Sequence, residues 1–294
     1  MTQLSTAQLS LPEHRVASER MQCMEVWGGN QGVEQSFQAA GLDIWVYSRP
    51  YGQAACGGDV HYLSSCASGR ITRMLLADVS GHGEMVSRLA VGLRDLMRRN
   101  INFVKQTRFV RAMNLQFTEY ADKGCFATAL VSTFFAPTGS FTLCNAGHPA
   151  PLVFRQAESQ WSELTREVEE SHVVTDIPFG IMDDVYYGHH EVRLQEGDMV
   201  LSYSDAIIES IDADGRQLHQ AGVLELVREL DLHEPDKVIP AILERITGLS
   251  NNNLKQDDAT ILLCQATGSG PSLRNNLLAP FRFFGKVVDE TRIG

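Results

Sequence analysis

Five aspartates at the ends of apolar runs carry the strongest chemical signal in this chain. Asp59 closes Gly57-Gly58-Asp59, and Asp78 opens Asp78-Val79-Ser80-Gly81-His82-Gly83. Asp205 ends Ser202-Tyr203-Ser204-Asp205, and Asp257 and Asp258 precede Ala259-Thr260-Ile261-Leu262-Leu263. Each adjoins a run that reads as a buried strand, where an unpaired carboxylate is costly. Acids delivered to the edges of one core repel each other and resist ionising. Hard divalent cations such as Mg²⁺ and Mn²⁺ relieve both problems, because they favour carboxylate, carbonyl and water oxygens. The chemistry predicted is metal-dependent hydrolysis.

The elements that must position these acids follow from periodicity. Apolar runs predict strands at Leu42–Tyr47, Val60–Leu63 and Ile71–Ala77, the last ending at Asp78. Met85, Val86, Leu89, Ala90, Leu93, Leu96 and Met97 recur at helical spacing, and Val110, Met113 and Phe117 mark a second helix near Phe109–Tyr120. Phe126–Ala136 and Ser140–Asn145 flank Pro137-Thr138-Gly139 and read as a hairpin. Pro151–Arg155 pairs with Gln160–Leu164, strands resume at His190–Leu194 and Asp198–Ser204, and Thr260–Gln265 is the last core strand. Helices fit Leu218–Leu230 and Pro235–Leu249. Hairpin strands interrupted by paired helices indicate an α+β fold of stacked layers: two antiparallel sheets face to face, flanked by helix pairs. Residues 1–40, broken by Gly28-Gly29-Asn30, are expected to be weakly structured, with a short helix around Val16–Val26. The main domain is expected over 41–266, and 267–294 form a tail whose aromatic residues suit a docking helix.

Composition narrows the function. The chain has 294 residues, 44% of them hydrophobic, enough for a substantial core. A net charge of −11 argues against general nucleic-acid binding, which needs a basic surface. Six scattered cysteines without a C-x-x-C pair suit a reducing cytoplasm. No run approaches the ~18 apolar residues of a membrane span, and the N-terminus has no apolar signal core. A cytoplasmic protein is expected.

The ordered motifs resemble the PPM-type metal-dependent serine/threonine protein phosphatases, and within them the bacterial SpoIIE-like branch that regulates sigma factors. The resemblance rests on Gly57-Gly58-Asp59, Asp78-Val79-Ser80-Gly81-His82-Gly83, Phe126-Ala127-Thr128-Ala129 and Asn145-Ala146-Gly147-His148-Pro149. It continues through Ile177-Pro178-Phe179-Gly180-Ile181, Gly197-Asp198, Ser204-Asp205 and Asp257-Asp258-Ala259-Thr260. It implies a four-layer αββα sandwich with two Mn²⁺ or Mg²⁺ ions in a cleft at one end. By motif position, Asp78 would be shared by both ions and the Val79 carbonyl would be a ligand. Asp59 would serve the first ion, through water or directly, and Asp205 with Asp257 would complete the other. Asp258 is the alternative to Asp257, although alignment with the family's Asp-Asn pair favours Asp257. The family's widespread Asp-Gly-His-Gly motif places a histidine where this chain has Ser80, so His82 is carried only as a neighbour of the site. Gly58, Gly81, Thr128, His148 and Glu209 are further neighbours. The resemblance implies a phosphorylated protein substrate, such as an anti-sigma-factor antagonist. Control is expected from an activating partner or from self-association.

Plainer readings compete. Gly-Gly-Asp is usually a turn, and Val60 and His61 do not continue it as in nucleotide cyclases. Asp78-Val79-Ser80-Gly81 suits a helix start, but capping does not explain an acid closing a buried strand. A catalytically inactive scaffold that binds a phosphoprotein, and a metal-dependent phosphodiesterase or nuclease, remain as alternatives.

Overall fold

The computed structural model describes residues 19–20, 25–52, 54–66, 69–81, 84–100, 103, 105–121, 124–164, 175–230, 232–269 and 288–292. Fourteen strands lie in two sheets among these residues. They are β1 (Glu19–Arg20), β2 (Glu25–Gln31), β3 (Val33–Ala39), β4 (Leu42–Arg49), β5 (Cys56–Cys66), β6 (Ile71–Val79) and β7 (Ala127–Phe135). There follow β8 (Ser140–Ala146), β9 (Leu152–Arg155), β10 (Gln160–Glu163), β11 (His190–Arg193), β12 (Met199–Tyr203), β13 (Ala259–Ala266) and β14 (Val288–Arg292). One sheet runs β1-β3-β4-β13-β12-β9-β10, the other β11-β8-β7-β6-β5-β2-β14. Both are antiparallel except at one edge, where β1 joins β3 and β14 joins β2 in parallel.

Strand alternation explains the layers. On β4, Leu42, Ile44 and Val46 enter the core between the sheets with Trp27, Leu76 and Leu130, whereas Trp45 and Tyr47 point outward to the helices over that sheet. Central β6 is covered on both faces and therefore reads as a continuous apolar run: Met74 and Leu76 face the other sheet, Leu75, Ala77 and Val79 face helices. Those helices are α1 (Glu84–Asn100) and α2 (Gln106–Tyr120), which seat Leu89, Leu93, Leu96, Phe109, Met113 and Phe117 on the sheet. The opposite layer holds the single turn α3 (Asp205–Ile208), α4 (His219–Arg228) and α5 (Val238–Leu249), the last preceded by a 3₁₀ turn at Pro235–Lys237. Four layers result, as the sequence pattern predicts. No helix among the described residues is long and apolar enough to cross a membrane.

Two expectations need correction. The segment before residue 41 is not weakly structured where it is described, since β2 and β3 belong to opposite sheets. Glu19–Arg20 and Glu25–Val26 are strand, while the rest of the expected helix at 16–26 lies outside the described residues. Gly28 and Gly29 do not break β2. At φ +136° and +151° they hold conformations open to glycine, and they let β2 lie against β5. In the tail, 270–287 lie outside the described residues, and 288–292 pair as strand β14 instead of forming a docking helix.

A carboxylate centre at the end of the sandwich

Sheet register brings the first two acids together. β5 and β6 pair with Asp59 directly opposite Asp78, and β6 and β7 pair Asp78 with Thr128. Residues opposite each other in an antiparallel ladder share a face. Asp59, Asp78 and Thr128 therefore form a row on the face that, one turn of the pleat away, carries Leu76 and Leu130 into the core between the sheets. From the opposite sheet, β12 is followed by Ser204, whose amide donates to the Thr260 carbonyl (2.9 Å). Thr260 N–H donates to Ser204 Oγ (3.0 Å), and the Thr260 and Ser48 hydroxyls are 2.9 Å apart. These hydroxyls close the apolar core with a polar end. Asp205 follows as the first residue of α3, and Glu209 caps it by donating its amide to the Asp205 carbonyl (2.9 Å).

Burial, reinforced by mutual repulsion, sets the electrostatics. Burial, then the charges of Asp205, Asp257, Asp258 and Glu209, pushes the Asp78 carboxyl up to about 7. Burial, Asp257 and Glu209 raise Asp205. Asp59, 3% exposed, is raised well above the usual carboxylate range by burial and by Asp78, with Ser204 and Thr260 opposing. Its Oδ2 is buried without a hydrogen-bond partner.

These residues fit a divalent cation bound through oxygen. A methyl at Gly58 would stand 3.0 Å from the Val79 carbonyl oxygen, 3.3 Å from Asp78 Oδ1 and 3.4 Å from Asp258 Oδ2, so three oxygens frame a space that glycine keeps open. The orphaned Asp59 oxygen and the raised Asp78 add the electrostatic demand for positive charge. Among the described residues no three His, Cys, Asp or Glu side chains close tightly on one point. The carboxylates surround the space without converging on it.

The two final acids have different surroundings. Asp258 is engaged by the backbone: Oδ1 accepts from Tyr51 N–H (2.6 Å), and Oδ2 accepts from Gly58 N–H and, at 3.4 Å, from Asp59 N–H. Asp257 is exposed and uses only Oδ1, toward the Asp258 amide (2.8 Å). Asp257 therefore keeps the free carboxylate oxygen, and Asp258 serves as a clamp.

Other expected neighbours resolve into structural roles. Ser80 binds the residue that leads into β7: its N–H (2.9 Å) and Oγ (2.8 Å) both donate to the Phe126 carbonyl, while Oγ accepts from Phe126 N–H. Gly81 has φ +117°, and a methyl there would meet Met85 Cε at 2.8 Å. His148 Nδ1 is 2.9 Å from Thr128 Oγ1, and Asn145 fixes the turn by accepting from His148 N–H and donating to its carbonyl, both at 2.8 Å. Burial pushes His148 down to about 3, so its imidazole is neutral near pH 7. His82 lies outside the described residues. Asp198 belongs to the scaffold: it pairs with Arg155 (2.8 Å) and accepts the amides of Gln156 and Gln195. Sequence reasoning missed Ser48, Asn30, Tyr51 and the hydroxyls of Ser204 and Thr260. Hydroxyls on inward positions of apolar strands were the available signal.

A pH dependence follows for the protein free of divalent cations. Asp78 is raised from 3.8 to about 7, so its contribution to stability is present below pH 4 and lost as pH rises toward 7. His61 and His148 are lowered to about 4 and about 3, so theirs is present above pH 6.5 and lost on acidification. Asp59, raised well above the usual carboxylate range, adds a slope of the same sign as Asp78, and the two acids offset the two histidines, so the melting temperature in EDTA is nearly flat between about pH 4.5 and 6.5 and declines above that. A divalent cation held by Asp78 would have to displace its proton at low pH, so the stabilising shift produced by Mn²⁺ is expected to be larger at pH 8 than at pH 5.5. Thermal melting with Mn²⁺ or EDTA checks this; a shift that shrinks as pH rises contradicts it.

Comparison with known proteins agrees with the fold. RsbU of Bacillus subtilis, a phosphoserine phosphatase, is 22% identical over 230 residues, 77% of this chain and 64% of RsbU. The structure of the RsbU and RsbW domains of Rv1364c from Mycobacterium tuberculosis superposes with a TM-score of 0.66 at 25% identity, over 82% of this chain and 64% of that one. The chain thus spans just under two thirds of both relatives. RsbX, solved in complex with magnesium, shares the fold at 13% identity and a TM-score of 0.56, over 80% of this chain and all of RsbX. The profile of the stage II sporulation protein E (SpoIIE) family matches residues 68–267, more than half of the chain, and the protein belongs to that family.

Proposed function

We propose that this protein is a phosphoprotein phosphatase that hydrolyses phosphoserine or phosphothreonine at a centre of two Mn²⁺ or Mg²⁺ ions. The observation that carries the reading is the gathering of Asp59, Asp78, Asp205 and Asp257 at one end of the sandwich, where burial and neighbouring charges oppose ionisation of Asp59, Asp78 and Asp205. Asp78, the Val79 carbonyl, Asp205 and Asp257 would hold the ions, with Asp59 supporting the first. When bound, the ions supply Lewis acidity toward the phosphoryl oxygens and a water acidic enough to attack near neutral pH. The chain's part is positional. The paired strands fix Asp59 and Asp78 side by side, Ser80 ties the end of β6 to β7, and Asp258 holds the Gly58 backbone so that Asp257 stays free. The neutral His148 orients the Thr128 hydroxyl beside Asp78 and adds no charge. RsbU supports phosphoserine as the substrate class, and the motif resemblance suggests a signalling protein such as an anti-sigma-factor antagonist as the substrate.

The test is phosphate release from a phosphoseryl peptide and from p-nitrophenyl phosphate with Mn²⁺, Mg²⁺ or EDTA, beside bis-p-nitrophenyl phosphate. Metal-dependent cleavage of both monoesters, with the diester left intact, is expected. Preferential diester cleavage would move the protein to the phosphodiesterases, and activity unaffected by EDTA would remove the metal from the account.

A further inference from the structure

We propose that Asn30 is a positioning residue for the carboxylate centre and that it acts through a single peptide group shared with Asp258. Asn30 lies in β2 and is 1% exposed. Its Nδ2 donates to the Gly57 carbonyl oxygen at 3.0 Å. That carbonyl belongs to the same peptide unit as Gly58 N–H, which donates to Asp258 Oδ2. One peptide plane is thus gripped from both sides, by β2 of its own sheet and by an acid that precedes β13 of the other.

The packing leaves this plane little freedom. A methyl at Gly57 would lie 2.5 Å from the Asp258 carboxylate, and one at Gly58 would crowd Val79 O and Asp78 Oδ1. Neither glycine has positive φ, so both are required for close approach and not for an unusual turn. If the peptide rotated, Asp258 would lose its Gly58 donor, and the Gly58 backbone would enter the space between Asp78 and the Val79 carbonyl. Two consequences follow for cation binding: the oxygens would no longer frame one space, and a second mobile carboxylate would stand beside Asp78. Asn30 Oδ1 is buried without a partner. An apolar residue of similar size would avoid that penalty, so the useful atom is the Nδ2 donor.

A plain staple of β2 onto β5 would lower stability alone, whereas a positioning role lowers cation affinity. The inference rests on reading the acids as a metal centre, and the experiment separates the two. Mn²⁺ binding is titrated calorimetrically at pH 7.5 for wild type, Asn30→Leu, Asn30→Ala, Asp258→Asn, the Asn30→Leu/Asp258→Asn pair and Asp78→Asn, with melting temperatures in EDTA and KM for p-nitrophenyl phosphate. Residues supporting metal ligands typically set affinity by about 10–100-fold, so Asn30→Leu is expected to weaken Mn²⁺ about 10-fold while KM stays unchanged. The double variant should bind no more weakly than the worse single, because both act on one peptide. Additive losses, unchanged Mn²⁺ affinity with a lowered melting temperature, or failure of both Asn30 variants to fold would each overturn the positioning role. Absence of Mn²⁺ binding in wild type, or full binding by Asp78→Asn, would instead overturn the metal centre itself.

Discussion

Replacing Asp78 by asparagine is expected to reduce p-nitrophenyl phosphate turnover by about 10³-fold or more, while making the metal-free protein more stable. The two effects share one cause. Asp78 stands opposite Asp59 in the ladder, and burial, reinforced by the charges of Asp205, Asp257, Asp258 and Glu209, raises it to about 7. An amide is nearly the same size, so the strand pairing survives. It carries no charge, so repulsion with Asp59 and Asp205 falls, and the group no longer contributes a carboxylate to a cation. Melting in EDTA at pH 8 should therefore rise by a few degrees relative to wild type. A residue that merely closed a strand or capped α1 would show the reverse: retained activity and reduced stability. Assaying kcat with saturating Mn²⁺ beside melting in EDTA distinguishes the two.

The second large effect concerns the scaffold. Gly28→Ala is expected to destabilise the protein by more than about 4 kcal/mol, enough to lower its melting temperature by roughly 10 °C or prevent folding. A methyl at Gly28 would lie 2.0 Å from the His61 carbonyl oxygen, and both are backbone-anchored, so no rotamer change relieves the overlap. The φ of +136° is also one that alanine avoids. Gly32→Ala is the control in the same region, because its methyl would make ordinary contacts with Pro50 Cδ at 3.4 Å and the Ser48 carbonyl oxygen at 3.7 Å. That variant should melt within about 1 kcal/mol of wild type. Equal tolerance of both substitutions would mean that β2 does not lie against β5 as described, and the Asn30 contact would go with it.

The contrast between these two sites shows what the amino-acid sequence makes legible. Asp59, Asp78, Asp205 and Asp257 are visible because an acid at the end of an apolar run conflicts with its surroundings. α1 and α2 are visible because Leu89, Leu93 and Leu96, then Phe109, Met113 and Phe117, repeat with helical period and are all buried. β2 and β3 are not. Gly28-Gly29-Asn30 reads as a break, and the alternation in Val33–Ala39 is dominated by polar residues, so only tertiary pairing reveals strands there. Register is likewise hidden: periodicity places Asp78 and Thr128 on strands but does not say that they face each other. The separate duties of Ser80 and Asp258 depend on which backbone amides arrive nearby. Neighbouring residues do not encode that.

Frozen-solution electron paramagnetic resonance of the full chain during Mn²⁺ titration tests the central claim most directly. The proposed two-ion centre, with Asp78 among the residues that would hold it, predicts that about two equivalents bind with a spin-coupled spectrum, and that Asp78→Asn abolishes the coupling. The six-line signal of hydrated Mn²⁺ alone, from protein shown to be folded, would contradict it: the five aspartates would then be a charged rim on a scaffold and not a metal centre.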